Sequence, residues 1–171
     1  MAPTPLERAL ARALPALAVA WPVLVLLAPW LGSSAAGGGG AAWLSAAAYS
    51  LGSLVCHQRP ERSFHLFGAQ LPVCARCTGL YVSGALGVVF AWWRGRPAGA
   101  ARWRSWRVPL VLAALPTFVT LAVEWWWPAA TSKAVRAVAA VPAGIVAGLL
   151  LAEFSGFRGR LSGCEPTRRS D

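Results

Sequence analysis

Three of the chain's four cysteines and both of its histidines lie in one polar segment, residues 56–77. The segment contains the run CHQRPERSFH, which begins at Cys56, and the run PVCARCTG, which holds Cys74 and Cys77. A Cys-x-x-Cys pair places two sulfurs within about 4 Å on a tight turn, and the Thr-Gly that follows allows backbone N–H groups to point at thiolate, as in zinc knuckles. These residue types at this spacing predict a metal site.

The predicted ligands are the three cysteines of this segment and one histidine, and the predicted metal is zinc-like. Four soft or borderline ligands suit a tetrahedral zinc site. Adjacent residues seldom bind the same ion, so His65 is favoured for the fourth position over His57, which directly follows Cys56. His57 stays a candidate.

Two other chemistries fit the same residues. In a membrane thiol–disulfide oxidoreductase, Cys74 and Cys77 would exchange between dithiol and disulfide with Cys56 as a third partner, because a helix N-terminus and Arg76 favour thiolate. The βαβ context of thioredoxin is missing from the sequence. In a non-enzymatic scaffold, the cysteines would form an inert staple that fixes an external cap. Motifs of ordinary hydrolases and kinases are absent from the sequence, which disfavours those chemistries.

The composition predicts that the elements positioning this segment are membrane helices. Hydrophobic residues make up 57% of the chain and charged residues only 13%, against about 25% charged in a typical soluble domain. A fold of this size with so few charges needs an outer surface that faces hydrocarbon. The expected fold is all-α, a polytopic transmembrane bundle in a single domain, residues 1–171, with the Cys/His segment external.

Four apolar stretches are long enough to predict spans, at about residues 13–31, 78–93, 108–127 and 134–154. A weaker stretch, 41–55, is rich in Ala and Ser and is either a fifth span or a re-entrant helix. A cleaved signal peptide is the competing interpretation of the first stretch, but the apolar region of such peptides is usually only about 7–15 residues long. The polar loop 56–77 and a basic tail, 155–171, complete the chain.

Charge predicts the orientation in the membrane. The net charge is +10, and the densest cluster, Arg94, Arg96, Arg102, Arg104 and Arg107, contains no acid. By the positive-inside rule this loop is cytoplasmic, in contact with anionic lipid headgroups. The Cys/His segment is then extracytoplasmic in a cell-membrane protein, although it also contains arginines, and Cys164 of the tail is a cytoplasmic thiol. No soluble basic domain is present to bind nucleic acid.

Two of the predicted spans carry small residues at every fourth position, which places them on one helix face and predicts close helix packing. These residues are Gly79, Ser83 and Gly87 in one span and Ala140, Gly144 and Gly148 in the other. Carboxylates within spans are candidate functional groups. Glu124 is expected to pair with Arg136 across a helix interface, and Glu153 is the weaker candidate.

The blocks Cys-His-Gln-x-x-x-Arg-Ser-Phe (Cys56–Phe64) and Leu-Pro-Val-Cys-Ala-Arg-Cys-Thr-Gly-Leu-Tyr (Leu71–Tyr81) resemble the signature of an uncharacterised prokaryotic membrane-protein family, domain of unknown function 2085. A looser similarity continues through Pro116, Ser132, Arg136 and Gly144. The sequence departs from the pattern at Lys133, where the family has Asn. The resemblance implies a membrane bundle with a Cys/His segment, and it implies no substrate because the family has no established activity.

Overall fold

The computed structural model describes residues 4–33, 39–94, 103–127 and 131–161, and these residues are mostly helical. The helices are α1 (Pro5–Leu31), α2 (Gly39–Val55), α3 (Ala75–Trp93), α4 (Trp103–Trp126) and α5 (Lys133–Leu161). Between α2 and α3 lie a 3₁₀ turn (Pro60–Arg62) and an antiparallel hairpin of two short strands, β1 (His65–Leu66) and β2 (Ala69–Gln70). The prediction of an all-α fold is confirmed at this level, and the small hairpin was not predicted.

Three helices of the described chain are long and apolar enough to cross a membrane, over Pro5–Leu31, Trp106–Trp126 and Lys133–Ser155. Helix α2 has 17 residues, which is short for a crossing. Helix α3 has 19 residues and carries Arg76 in its first turn, which lowers its apolar character. The predicted polytopic bundle is therefore confirmed for three helices.

Helix α1 begins well before the span predicted from residue 13. Its first turn is closed by a capping box, in which the Glu7 amide donates to Oγ1 of Thr4 over 3.2 Å and the Thr4 amide donates to Oε2 of Glu7 over 3.0 Å. A capping box satisfies backbone donors that a helix start leaves without partners. The polar residues before the apolar stretch are thus part of the helix.

Helices α3 and α5 pack in parallel through small residues. A Cβ added to Gly79 would overlap the backbone of Ala137, and one added to Gly87 would lie 2.6 Å from the carbonyl oxygen of Ile145. Residues further along α3 contact residues further along α5, so the two helices run in the same direction. The predicted packing role of the small residues is confirmed, since any larger side chain at these positions would push the backbones apart.

Helix α4 runs antiparallel to α5. Oγ1 of Thr117 donates to the carbonyl oxygen of Ala139 over 2.9 Å, whereas Glu124, further along α4, contacts Arg136, nearer the start of α5. The consecutive helices α3, α4 and α5 therefore alternate in direction, as consecutive crossings of a membrane must.

Helix α2 packs against the C-terminal part of α1 and against the segment that precedes α3. Oγ of Ser45 donates to the carbonyl oxygen of Ala28 near the end of α1, over 2.8 Å. Further along α2, Gly52 lies against the carbonyl of Pro72, just before α3 begins. Both parts of α2 thus contact the end at which α1 finishes and α3 starts.

The directions of the helices show at which end of the bundle each helix terminus and its basic residues lie. Helices α1 and α4 run toward α2, whereas α3 and α5 run away from it. The end of the bundle away from α2 therefore contains the starts of α1 and α4 and the ends of α3 and α5. Each of these helix ends carries at least one arginine, for example Arg12, Arg94, Arg107 and Arg158. Arg96, Arg102 and Cys164 lie outside the described residues.

Candidate metal centre

Three cysteines meet where the end of α2 approaches the start of α3. Cys56 directly follows α2, Cys74 is the N-cap of α3, and Cys77 lies in the first turn of α3. Their sulfurs all lie within 4.8 Å of one another. Cys56 is buried, the other two are partly buried, and all three are free thiols. The structure thus brings together the three cysteines that the sequence singled out.

Local hydrogen bonds fix the two chain segments that carry the cysteines. The Cys74 amide donates to Sγ of Cys56 over 3.2 Å, which joins the N-terminus of α3 to the end of α2. The Gln58 side-chain amide donates to the carbonyl oxygens of Tyr49 and Pro72, both over 2.8 Å. These bonds join a carbonyl in the second half of α2 to the carbonyl two residues before Cys74, so Gln58 links the two segments that carry the cysteines.

The hairpin supports Gln58 from the other side. Its turn residues Phe67 and Gly68 both have positive φ, at 53° and 78°, as the tight two-residue turns of hairpins require. Nε2 of Gln70 donates to the carbonyl oxygen of Gln58 over 2.5 Å, and the Tyr49 hydroxyl donates to the carbonyl oxygen of Gln70. Sequence reasoning did not identify Gln58 or Gln70, although both are polar residues in the Cys/His segment.

The electrostatics of the cluster favour thiolate at Cys74. A side-chain hydrogen bond from Cys77 lowers the pKa of the Cys74 thiol to about 5. Burial opposes this shift, while backbone hydrogen bonds from Cys77 and Arg76 and the thiol of Cys56 add to it. The sequence prediction of a depressed thiol pKa attributed the effect to the helix N-terminus and the Arg76 side chain. The neighbouring thiol is the larger cause.

A cavity of about 500 Å³ opens beside the sulfurs. Its wall includes all three cysteines, His57, and the arginines Arg59, Arg62, Arg76 and Arg136. His65 lies in β1, is exposed, and is not among the residues that line this cavity. The group of mutually close ligand atoms comprises the three sulfurs and neither histidine.

Glu124 lies behind the cavity wall and binds arginines that line it. Its buried Oε1 lies 2.8 Å from Nη2 of Arg76 and 2.9 Å from Nε of Arg136, and Oγ1 of Thr131 donates to it over 2.6 Å. Oε2 lies 3.9 Å from Nη1 of Arg62. The predicted pairing of Glu124 with Arg136 is confirmed. The contributions of Arg62 and Arg76 were not predicted.

The fold and the site together define a helical membrane protein with a three-cysteine cluster at one end of its bundle. A family model described as "Predicted membrane protein (DUF2085)" matches residues 56–150, more than half of the chain. The chain belongs to this family, which confirms the resemblance seen in the two cysteine-containing blocks.

The similar proteins are described as uncharacterised. An uncharacterised protein of Methanocaldococcus jannaschii is 45% identical over 47 residues, which cover 28% of this chain and 30% of the relative. An uncharacterised protein of Methanothermobacter thermautotrophicus is 54% identical over 28 residues, 16% of this chain and 25% of the relative. The chain thus matches less than a third of the length of each. No solved structure matches the chain.

Proposed function

We propose that this protein binds a zinc-like metal ion through Cys56, Cys74 and Cys77 at the outer end of a four-span bundle. The observation that carries the proposal is the mutual approach of three thiol sulfurs within 4.8 Å, at positions separated by up to 21 residues of sequence. Thiolates are soft ligands that favour zinc, copper(I) and iron over magnesium or calcium.

The donor set fits a tetrahedral ion. With a Zn–S distance of about 2.3 Å, two sulfurs on a tetrahedral zinc ion lie about 3.8 Å apart. The observed spacing therefore requires each sulfur to move by no more than about 1 Å, within the range of a side-chain rotation. The amide of Cys74 already donates to Sγ of Cys56, and such a bond stabilises thiolate and orients it.

His57 is the fourth ligand that the geometry favours, because it lies on the wall of the same cavity as the three sulfurs. His65, which sequence spacing favours, lies in β1 and does not line the cavity, while both histidines are exposed. His57→Gln and His65→Gln test the choice. The variant that lowers zinc affinity identifies the ligand, and equal affinities would assign the position to solvent or another exogenous group.

Packing supports α3 as the fourth crossing. It lies parallel to α5 and in direct backbone contact with it, so an α5 that crosses the bilayer takes α3 through the same layer. The alternation of α3, α4 and α5 fits three consecutive spans, and α1 supplies another. We place α2 at the outer surface of the membrane. The apolar side chains on the outer faces, for example Leu17, Val111 and Phe118, are then lipid-facing.

The distribution of charge supports the orientation. The helix ends that carry Arg12, Arg94, Arg107 and Arg158 all lie opposite the cysteine cluster. With this end cytoplasmic and in contact with anionic lipid, as the positive-inside rule requires, the metal centre faces the exterior of the cell membrane. Arg62 and Arg76 do not contradict this orientation, because they pair with Glu124.

Metal analysis of the purified protein tests the metal centre. We expect about one zinc per chain in the wild type and its loss in Cys74→Ser. Cys164→Ser, in the basic tail of the sequence, is the matched control. In the cobalt-substituted protein, sulfur-to-cobalt charge-transfer absorption should fall in each cluster variant. Metal-free wild-type protein that takes up neither ion would contradict the proposal.

A thiol–disulfide oxidoreductase is the second candidate, and the lowered pKa of Cys74 next to a second thiol favours it. Formation of the Cys74–Cys77 disulfide would release two protons and pass two electrons to an acceptor disulfide, which becomes two thiols. A metal-free protein whose thiol count changes reversibly by two, and does not in Cys77→Ser, would support this function. A permanent disulfide would leave only the structural staple.

A further inference from the structure

We propose that the cavity beside the cysteine cluster binds a small oxyanion, held chiefly by Arg59 and Arg62. This deepens the proposed function, because the metal centre would form one wall of the same cavity. The ligand chemistry is an oxyanion group such as phosphate or sulfate, which arginine recognises through paired N–H donors.

The charge of the wall favours an anion. Four arginines line the cavity, and no residue of the described chain that lines it carries a carboxylate. Behind the wall, Glu124 offsets one of the four positive charges. A divalent ion held by three thiolates has a net charge of −1 and would offset one more. Two positive charges are then uncompensated in a partly enclosed space, where the field of each is stronger than in water.

The arginines divide into two roles. Arg76 and Arg136 make close contacts to Oε1 of Glu124, so they serve as counterions within the helix bundle. Arg62 lies 3.9 Å from Oε2 without a hydrogen bond, and its side chain is 34% exposed. Arg59 is exposed at the cavity wall. Arg59, the N-cap of the 3₁₀ turn, and Arg62, its last residue, are therefore the two arginines whose guanidinium groups are not held by a close ion pair.

Two further features of the cavity favour an anion as its ligand. Nε of Arg76 is buried and has no hydrogen-bond partner among the described residues, although buried donors are nearly always paired. Helix α3 starts at Ala75, so the positive end of its dipole lies at the cavity. An anion seated between the 3₁₀ turn and the start of α3 would accept a hydrogen bond from Nε of Arg76 and would lie at the positive end of this dipole.

Calorimetric titration of inorganic phosphate and of sulfate tests the proposal, at constant ionic strength, with the zinc-loaded protein in phosphatidylcholine nanodiscs. We expect saturable binding of at least one anion, weakened about tenfold or more in Arg62→Gln and in Arg59→Gln, because each removes a charge-assisted hydrogen bond. Arg94→Gln is the matched control, with the same loss of charge at the opposite end of the bundle, and should bind as the wild type does. Neither cavity variant removes a close ion pair, so both should fold.

A second experiment distinguishes a free anion from a lipid headgroup as the ligand of the cavity. If nanodiscs containing phosphatidylglycerol weaken phosphate binding by the wild type, the headgroup competes for the site. Equal binding in both lipids identifies a free anion. Either result supports the proposal when binding depends on Arg62. Absence of saturable binding, or binding unchanged in both cavity variants, overturns it.

Metal content measured on the same samples distinguishes the two proposals. Zinc-loaded protein that binds no anion would overturn the oxyanion site and leave the metal centre in place. Metal-free protein that binds phosphate through Arg62 would support the oxyanion site and contradict the metal centre.

Discussion

Replacement of Glu124 by Gln is expected to destabilise the bundle more than replacement of either arginine that contacts it closely. One oxygen, Oε1, lies within 2.9 Å of guanidinium nitrogens from both α3 and α5. Glu124→Gln keeps the shape of the side chain and removes its charge. Arg76 and Arg136 would then face each other without a counterion.

The magnitude follows from burial. The Arg76 and Arg136 side chains are only 17% and 6% exposed, so water cannot replace the lost carboxylate at either of them. Loss of one partner of a buried ion pair costs about 3–5 kcal/mol. Arg62, which is 34% exposed and 3.9 Å away, adds little. In Arg136→Gln, the Glu124–Arg76 pair remains, so the loss should be about 1–3 kcal/mol, that of hydrogen bonds to a charged group.

Unfolding of the purified variants in one detergent measures the difference. Glu153→Gln is the matched control, since Glu153 is a partly buried carboxylate further along α5, and we expect a change within about 0.5 kcal/mol there. The reasoning is refuted if Glu124→Gln is no more destabilising than Glu153→Gln, or if Arg136→Gln costs as much as Glu124→Gln.

Three further predictions address packing, thiol chemistry and topology. Gly148→Ala should lower the thermal midpoint of unfolding, because the added Cβ would overlap the backbone of α3. Gly84→Ala is the control and should not lower it, because its Cβ would lie 3.5 Å from the nearest oxygen. Equal midpoints of the two variants would contradict the packing. In reduced, metal-free protein, the rate of Cys74 alkylation should rise as the pH passes about 5, where the thiolate forms. Cys77→Ala should move the midpoint of this pH profile upward. An unshifted midpoint would exclude Cys77 as the cause of the lowered Cys74 pKa. After reduction and metal removal, an impermeant thiol reagent on intact cells should label the cluster and spare Cys164, and labelling of Cys164 alone would reverse the orientation.

The structure explains why the choice between the histidines could not be made from spacing. Both histidines lie in the same polar segment, and the rule that adjacent residues seldom share a metal favours His65. The approach of His57 to the cavity depends on the backbone after Cys56, where Gln58 has a positive φ of 48° and bonds to both sides of the segment. The sequence carries no clear signal for that conformation, because Gln rarely adopts it.

The sequence alone determined the features that depend on local composition and spacing. Apolar length indicated the helices, small residues at every fourth position indicated a close-packing face on α3 and on α5, and the Cys-x-x-Cys pair indicated a thiol site. Each of these signals depends on residues close together in the chain. Tertiary structure alone decided that Arg76 shares Glu124 with Arg136 and that α2 packs against both the end of α1 and the segment before α3. Arg76 and Glu124 are separated by 48 residues. Their pairing requires α3, α4 and α5 to be docked, because a buried charge finds its counterion only among the groups that packing brings within reach.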